Sequence, residues 1–248
     1  MIEDLHSHTY YSFCGHDSPD AIIEAAIYGG INIFGICDHN YGIAQQRSTT
    51  IYNDSLRRVK DYQRSLNTYL DHIRQVASRY QDQIRILCGI EVATIYDHNR
   101  DLPDSVDLSK FDFCLLESID SENTAANDIF AFAQRCSTKY TGIAHTDLFS
   151  YLERTNQDPF VFFSKMAEDN IFWEMNVNYD STHHYRFHQY VHDFFQSEYQ
   201  QEIIRKSGVM LSVGFDGHRV EDYRPDIIHD YCSRIQALDI PIVFLDAP

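Results

Sequence analysis

The sequence predicts an α/β protein built from parallel βα units, and three observations carry the prediction. Short β-branched or aromatic runs alternate with longer amphipathic patterns; Ser, Pro and Gly mark helix ends where that alternation needs them; histidines and carboxylates collect at the C-terminal ends of the runs. The predicted strands are residues 2–6, 31–38, 84–92, 111–117, 140–145, 171–177, 209–216 and 240–245. Between the first two, Ser18 stands as N-cap, Pro19 at the first helical position and Gly29-Gly30 as the stop. Leu56, Val59, Leu66, Tyr69, Ile73, Val76 and Tyr80 then recur at helical steps, so a long amphipathic helix over 54–80 is expected to cover one sheet face. Further helices are expected near 123–138, 158–169, 193–207 and 225–238, the last opened by Pro225.

No linker, low-complexity segment or fixed-period repeat divides the chain, so a single domain over 1–248 is expected, a length at which α/β barrels are common. A hydrophobic share of 44% with 23% charged residues suits a folded core. The formal charge of −17 argues against binding long nucleic acid, because an acidic surface repels a polyanion over a Debye length. An anionic substrate then needs a local positive focus such as metal ions. No run approaches the ~20 apolar residues of a membrane helix, and the opening MIEDLHSHT lacks the basic and apolar regions of a secretory signal. Six cysteines without a CxxC pair fit a reduced, cytoplasmic protein.

The unusual feature is 13 histidines. His6 and His8 follow the first run, Asp38-His39 the second and Glu91 the third. Glu117 and Asp120 close the fourth, His145 the fifth, Glu174 and Asn176 the sixth, and Asp216 with His218 the seventh. In a closed parallel sheet all these ends converge on one mouth. His6-x-His8 alone merely puts two imidazoles on one side of an extended chain, a common surface pattern. Its weight comes from recurrence at matching strand ends. Several imidazoles with three or more carboxylates suit Zn, Mn or Fe, whereas an all-oxygen set suits Mg or Ca.

The same residues resemble the PHP (polymerase and histidinol phosphatase) family of metal-dependent phosphoesterases, over nearly the whole chain. Asp4-Leu5-His6-Ser7-His8-Thr9 is similar to the family's opening D-L-H-x-H-T, and Ile36-Cys37-Asp38-His39 to its T-D-H. Gly89-Ile90-Glu91 resembles its G-x-E strand end, Ala144-His145 its later single His, and Gly214-Phe215-Asp216-Gly217-His218 its closing S-D-x-H. Phe13-Cys14-Gly15-His16 is similar to the F-C-x-H of the histidinol-phosphatase branch, with Tyr10 and Tyr11 reading as an insertion, and Trp173-Glu174-Met175-Asn176 to its E-x-N strand.

The resemblance implies a distorted TIM-like (β/α)7 barrel of PHP type holding about two to three divalent metal ions (Zn, Mn or Fe) at its C-terminal mouth. The implied ligands are His6, His8, His16, His39, Glu91, Asp120, His145, Asp216 and His218. Where the family has S-x-H at its fourth strand end, this chain has Glu117-Ser118-Ile119-Asp120, so Asp120 takes that place after a one-residue shift, or Glu117 serves instead.

The expected function is hydrolysis of a small phosphomonoester, in the manner of a histidinol phosphatase. Paired divalent ions turn a bridging water into hydroxide near neutral pH, which attacks phosphorus in line. Glu91 and Asp216 are then shared or orienting ligands, and His145, His218 or Asp216 handles a proton, which makes Glu91, His145, Asp216 and His218 the catalytic set. A guanidinium fork matches phosphate oxygens, and Arg186, Arg219 and Arg47 are the candidates, each with a solvated surface charge as its plain reading. Two alternatives stand beside this one: a nucleotide or oligonucleotide phosphoesterase of the same fold, and a non-catalytic metal-binding module, which the altered fourth strand end favours. A metal-dependent amidohydrolase uses similar ligands, but its metal-bridging lysine has no obvious equivalent here.

The remaining residues have plainer readings. His184, His188 and His192 share a helical spacing but lack the Glu of an HExxH site, so they read as a solvated loop and helix. His72, His98, His183 and His229 read as surface residues, and Tyr10, Tyr11 and Tyr41 as packing beside the first two motifs. Cys37, Cys88 and Cys114 read as sheet interior, while Cys14, two residues before His16, admits a thiolate role.

Overall fold

The computed structural model describes residues 1–46, 57–58, 61–96 and 100–246. Seven parallel strands lie side by side in chain order. They are β1 (Glu3–Asp4), β2 (Ile33–Ile36), β3 (Arg85–Ala93), β4 (Phe113–Glu117), β5 (Thr141–Ile143), β6 (Ile171–Asn176) and β7 (Leu211–Gly214). The first and last strands meet: Leu5 N–H donates to the Val213 carbonyl at 2.8 Å, and Asp216 N–H to the His6 carbonyl at 2.8 Å. The sheet is thus a nearly closed, distorted TIM-like (β/α)7 barrel.

Helices cover the outside: α1 (Pro19–Tyr28), α2 (Asn40–Ile43), α3 (Tyr62–Ala77), α4 (Ile129–Cys136), α5 (Leu148–Arg154) and α6 (Pro159–Glu168). After β6 come α7 (Gln189–Gln196), α8 (Glu198–Ser207), α9 (Pro225–Ala237) and the single turn α10 (Val243–Asp246). Ser18 caps α1 as expected, and Asp61, Asp128, Asp147, Asp158 and Ser197 likewise accept a backbone N–H of the first turn of their helices.

Side chains two apart on a strand share a face, and the inward rows change character along their length. Leu87 precedes Glu91 on β3, Phe113 and Leu115 precede Glu117 on β4, and Phe172 precedes Glu174 on β6. The apolar half forms an inner core of Leu5, Ile33, Leu87, Phe113, Leu115 and Phe172, capped from below by Val243 and Phe244. The polar half opens at the C-terminal mouth. The outward rows, including Phe34, Ile36, Ile90, Cys114 and Leu116, pack in the larger core beneath the helices.

Several boundaries differ from expectation. The eighth expected strand makes one bridge, Ile242 to Leu211, and then turns into α10, because β1 already hydrogen-bonds β7 and closes the edge it would have joined. The expected helix over 54–80 is described from Tyr62, where Asp61 caps it; Arg57–Arg58 instead pairs antiparallel with Gln45–Gln46, and the rest of 47–60 lies outside the described residues. Helix 123–138 shortens to start after the Asp128 cap. Helix 193–207 breaks at Ser197, whose extended backbone ends α7 and whose hydroxyl caps α8. Among the described residues no helix is long and apolar enough to cross a membrane.

Candidate metal centre

The strand ends bring together ionisable side chains that are far apart in sequence. Glu91 is the hub: its Oε2 lies 2.8 Å from His39 Nδ1, 3.4 Å from His8 Nε2 and 3.5 Å from His6 Nε2, and its Oε1 lies 3.0 Å from His145 Nε2. Asp216 Oδ1 stands 3.1 Å from His8 Nε2 and 3.5 Å from His6 Nε2. His145 and Asp216 adopt positive φ of 26° and 60°, sparsely populated conformations for non-glycine residues, which turn the chain sharply where each strand ends.

Outer partners fix which nitrogen each ring presents. Glu174 Oε1 accepts from His6 Nδ1 at 2.8 Å, and Asp180 Oδ2 accepts from His218 Nδ1 at 2.8 Å. Ser12 gives its hydroxyl proton to Asp38 at 2.7 Å and so accepts from His8 Nδ1 at 3.2 Å. Each of these rings therefore offers Nε2 as a lone pair to the interior, the arrangement in which a second partner orients a metal-binding histidine. Asp38 itself is no part of the cluster: it accepts from the backbone N–H and hydroxyl groups of Thr9 and Ser12 and shapes the loop after β1.

The cluster fits a cation. His6 Nε2 and His8 Nε2 face each other at 3.2 Å, a separation at which a proton or a metal cation must lie between the two nitrogens. His39 Nδ1 and Glu91 Oε2 are buried and, although 2.8 Å apart as an ion pair, lack hydrogen-bond geometry, so neither has a hydrogen-bond partner. Ligands about 2.1 Å from a tetrahedral metal sit roughly 3.4 Å from one another, close to the separations here. The ligand atoms fall into overlapping groups: His6, His8 and Asp216; His8, His39 and Glu91; Glu91, Glu117 and His145; His8, Cys14 and His218; Asp180, His183 and His218.

The charges respond to this crowding. Burial opposes protonation of His6, yet Asp216, Glu174 and Glu91 together hold its pKa well above the usual value; burial likewise opposes His145, which Glu91 raises to about 9, and His218, which Asp180 raises to about 10. His8 goes the other way, pushed down to about 3 by burial and by the neighbouring His39. Burial works against ionisation of Glu91 and Asp216, but the His39 and His6 charges hold Glu91, and the His6 charge holds Asp216, well below the carboxylate range. Burial raises the Cys14 thiol, but hydrogen bonding with His218 and His39 outweighs it and lowers the pKa.

A pH prediction follows for the protein stripped of metal. Histidines with raised folded pKa stabilise fully below the unfolded value of about 6.5 and lose that contribution as pH climbs through about 9 and about 10. His8, depressed to about 3, destabilises as pH falls below about 6.5. The chelated protein is therefore expected to melt highest near about pH 6.5, to lose thermal stability progressively as pH rises from there toward about 9 and about 10, and to lose it also as pH falls. Metal-loaded protein, in which cations replace those protons, should lose less on the alkaline side. Melting curves from pH 5 to 10 with and without chelator check this, and identical alkaline profiles contradict it.

The predicted site residues divide by position. His6, His8, His39, Glu91, His145, Asp216 and His218 come together. Asp120 does not: its side chain is 43% exposed and faces Arg154 Nη2 at 3.7 Å, because Ser118 turns the chain away at φ 64°. Glu117, on the inward face of β4, instead reaches His39 Nδ1 at 3.3 Å. His16 is exposed and accepts from Arg219 Nη2 at 3.1 Å, while Cys14 turns inward. Arg219 also faces Glu221 at 3.4 Å, Arg186 is exposed, and Arg47 lies outside the described residues, as does His98.

Sequence reading missed other members. His183, taken as surface, stands 2.9 Å from Asp180 Oδ1 and 3.9 Å from Asp216 Oδ2. His188 stacks on His145 with centroids 6.1 Å apart. Asp180 sits in the loop after β6 and carries no strand-end signal; its spacing to His183 was the one available hint. Glu117→Ala is expected to weaken cation binding by more than about 10-fold, whereas Asp120→Ala leaves it within about twofold. Calorimetric titration with Mn(II) checks the pair, and the reverse order would restore Asp120 to the site.

The PHP domain family matches residues 4–237 of the chain. None of the curated proteins compared matches it. Among solved structures, it is similar to the histidinol phosphate phosphatase of Lactococcus lactis, complexed with zinc, L-histidinol and phosphate: TM-score 0.53, 15% identity, 96% of this chain and 94% of that one. A candidate histidinol phosphatase of Listeria monocytogenes aligns with TM-score 0.39 and 16% identity over 97% of this chain and 93% of that one. At 15% identity the likeness to the Lactococcus structure bears on the fold alone.

Proposed function

This chain belongs to the PHP domain family, and from that premise we propose that it is a metal-dependent phosphoric ester hydrolase that removes phosphate from a small phosphomonoester. The observation that carries the reading is the Glu91 carboxylate, 1% exposed and within 3.5 Å of ring nitrogens from His6, His8, His39 and His145. Zinc, manganese or iron suits that donor set, with His6, His8 and Asp216 around one position and Glu91, Glu117 and His145 around another. Divalent ions held there supply positive charge to the phosphoryl oxygens and acidify a water.

The chain's own part is orientation and proton traffic. Glu174, Asp180 and Ser12 fix the rings of His6, His218 and His8, so the centre needs no rearrangement to present its nitrogens. Asp216, held also by Asn176 Nδ2 at 3.5 Å, aligns the two imidazoles of the first motif. His145, at 24% side-chain exposure, is the most open of the five imidazoles nearest Glu91 and Asp216, which favours it for passing a proton to the leaving oxygen. In this reading residues 1–248 act as one domain, supported by β1 completing the barrel against β7 and by Phe244 N–H donating to Glu3 at 2.9 Å.

Arg186, in the loop that carries Asp180 and His183, is the proposed phosphate contact. Arg186→Ala is expected to raise KM about 10-fold or more with kcat nearly unchanged, the loss of one charge-assisted hydrogen bond. An unaltered KM removes it from the site. The function itself is tested by phosphate release from p-nitrophenyl phosphate and a panel of sugar, amino-alcohol and nucleoside monophosphates with Zn(II) or Mn(II). Turnover that chelation abolishes supports the reading. Cleavage confined to oligonucleotides favours the nucleolytic alternative, and bound metal with no turnover on any phosphoester favours a binding module.

A further inference from the structure

Resting on the metal centre proposed above, we propose that Cys14 is a thiolate ligand, holding a cation together with the His8 and His218 imidazoles so that one position of the cluster is sulfur-liganded. Cys14 Sγ and one ring nitrogen each of His8 and His218 lie within 4.8 Å of one another, and the thiol interacts with both His218 and His39. The His8 ring stacks between His39 and His218, with centroids 4.6 and 4.7 Å away and planes 24° and 26° apart, so the three rings line one wall. Asp180 fixes the His218 proton on Nδ1 and leaves Nε2 for the interior. In the adjoining group, which shares His8, the buried His39 Nδ1 and Glu91 Oε2 have no hydrogen-bond partner.

The backbone explains why sulfur and not the nearby imidazole turns inward. His16 N–H donates to the His218 carbonyl at 3.0 Å, which ties the loop across the mouth, and a Cβ on residue 15 would stand 2.1 Å from the Thr9 carbonyl oxygen. Only glycine permits that approach. With Gly15 pressed against the exit of β1, Cys14 faces the cluster and His16 faces Arg219.

Binding is a simple exchange: the thiol proton leaves to solvent as the metal–sulfur bond forms, and the imidazoles contribute neutral nitrogens. One thiolate with two imidazoles favours zinc or another late, sulfur-tolerant ion. The neighbouring Glu91, Glu117 and His145 group, richer in oxygen, accepts manganese more readily. The two positions thereby differ in the ion they prefer.

Titrating metal-free protein with Co(II) reads the ligands directly. A thiolate-to-cobalt charge-transfer band in the near ultraviolet is expected, lost in Cys14→Ser while the visible ligand-field bands of the other positions persist. Cobalt uptake with ligand-field bands and no charge-transfer band overturns the thiolate and leaves the metal centre intact; no cobalt uptake overturns the metal centre itself. A measurement on the unaltered chain guards against a misfolded variant. Cys14 alone among the six cysteines is not buried, so iodoacetamide and peptide mapping report on it in the native protein. Zinc is expected to slow its alkylation more than about 10-fold, and an unchanged rate in zinc-loaded protein overturns the proposal.

Discussion

Glu91→Gln is expected to lower kcat/KM by about 10³-fold or more, equivalent to roughly 4 kcal/mol of transition-state stabilisation. One carboxylate lies within 3.5 Å of ring nitrogens from His6, His8, His39 and His145, whereas Asp216 has only His6 and His8 that close, so the two Glu91 oxygens join two of the ligand groups. Glutamine keeps the shape but removes the charge, and its amide nitrogen has no lone pair free to ligate a cation. Metal content should fall with activity. Elemental analysis and initial rates on p-nitrophenyl phosphate decide it: a variant with full metal and activity within tenfold of the parent would remove Glu91 from its central role.

Gly214→Ala is the second large effect, and it comes from one methyl group on β7. A Cβ there would lie 2.2 Å from Glu174 Oε1 and 2.6 Å from His6 Cβ. Neither neighbour can yield. That Glu174 oxygen holds the His6 ring, and its other oxygen accepts the His145 backbone N–H at 2.9 Å and Asn176 Nδ2 at 3.0 Å. Overpacking at such a site costs about 1–3 kcal/mol, which for a chain of this size lowers Tm by about 2–4 °C per kcal/mol. The tilt forced on His6 should also weaken metal binding about 10–100-fold. A variant that melts with the parent and binds metal as tightly would show that the sheet has slack the static geometry denies.

Both effects arise where local sequence rules and long-range packing meet. The position of Glu91 at the end of β3 was readable because an apolar run terminates there in a carboxylate, and the same holds for His145 after β5 and Asp216 after β7. Strand boundaries drifted by a residue or two, which does not matter to the site, since period-2 alternation fixes the facing of a side chain once the strand is in register. The eighth strand is a different kind of miss. Residues 240–245 have strand composition, but β7 already finds β1 on its free edge, and pairing preference alone does not say which edges remain open.

Loops were where reading failed. Asp120 and Glu117 are equal candidates by composition; a left-handed turn at Ser118 separates them, sending one outward to Arg154 and leaving the other on the inner face. Cys14 and His16 are equal candidates by chemistry, and the close contact at Gly15 with Thr9 goes with Cys14 facing inward. Asp180 and His183 belong to no periodic element, so their spacing hints at a pair without assigning it to the mouth.

The chain by itself determined the alternation of strand and helix, the capping of the helices, and the placing of imidazoles and carboxylates at strand ends, because these depend on neighbours within about one turn or one pleat. Only the tertiary structure decided which atoms face one another: closure of β1 on β7 brings His6 and His8 against Asp216, and the turns at Gly15 and Ser118 select among adjacent ligands. The physical reason is that a metal centre is a property of distances between lone pairs, and those distances are fixed by sheet closure and backbone turns acting across 200 residues rather than by the identity of any one side chain.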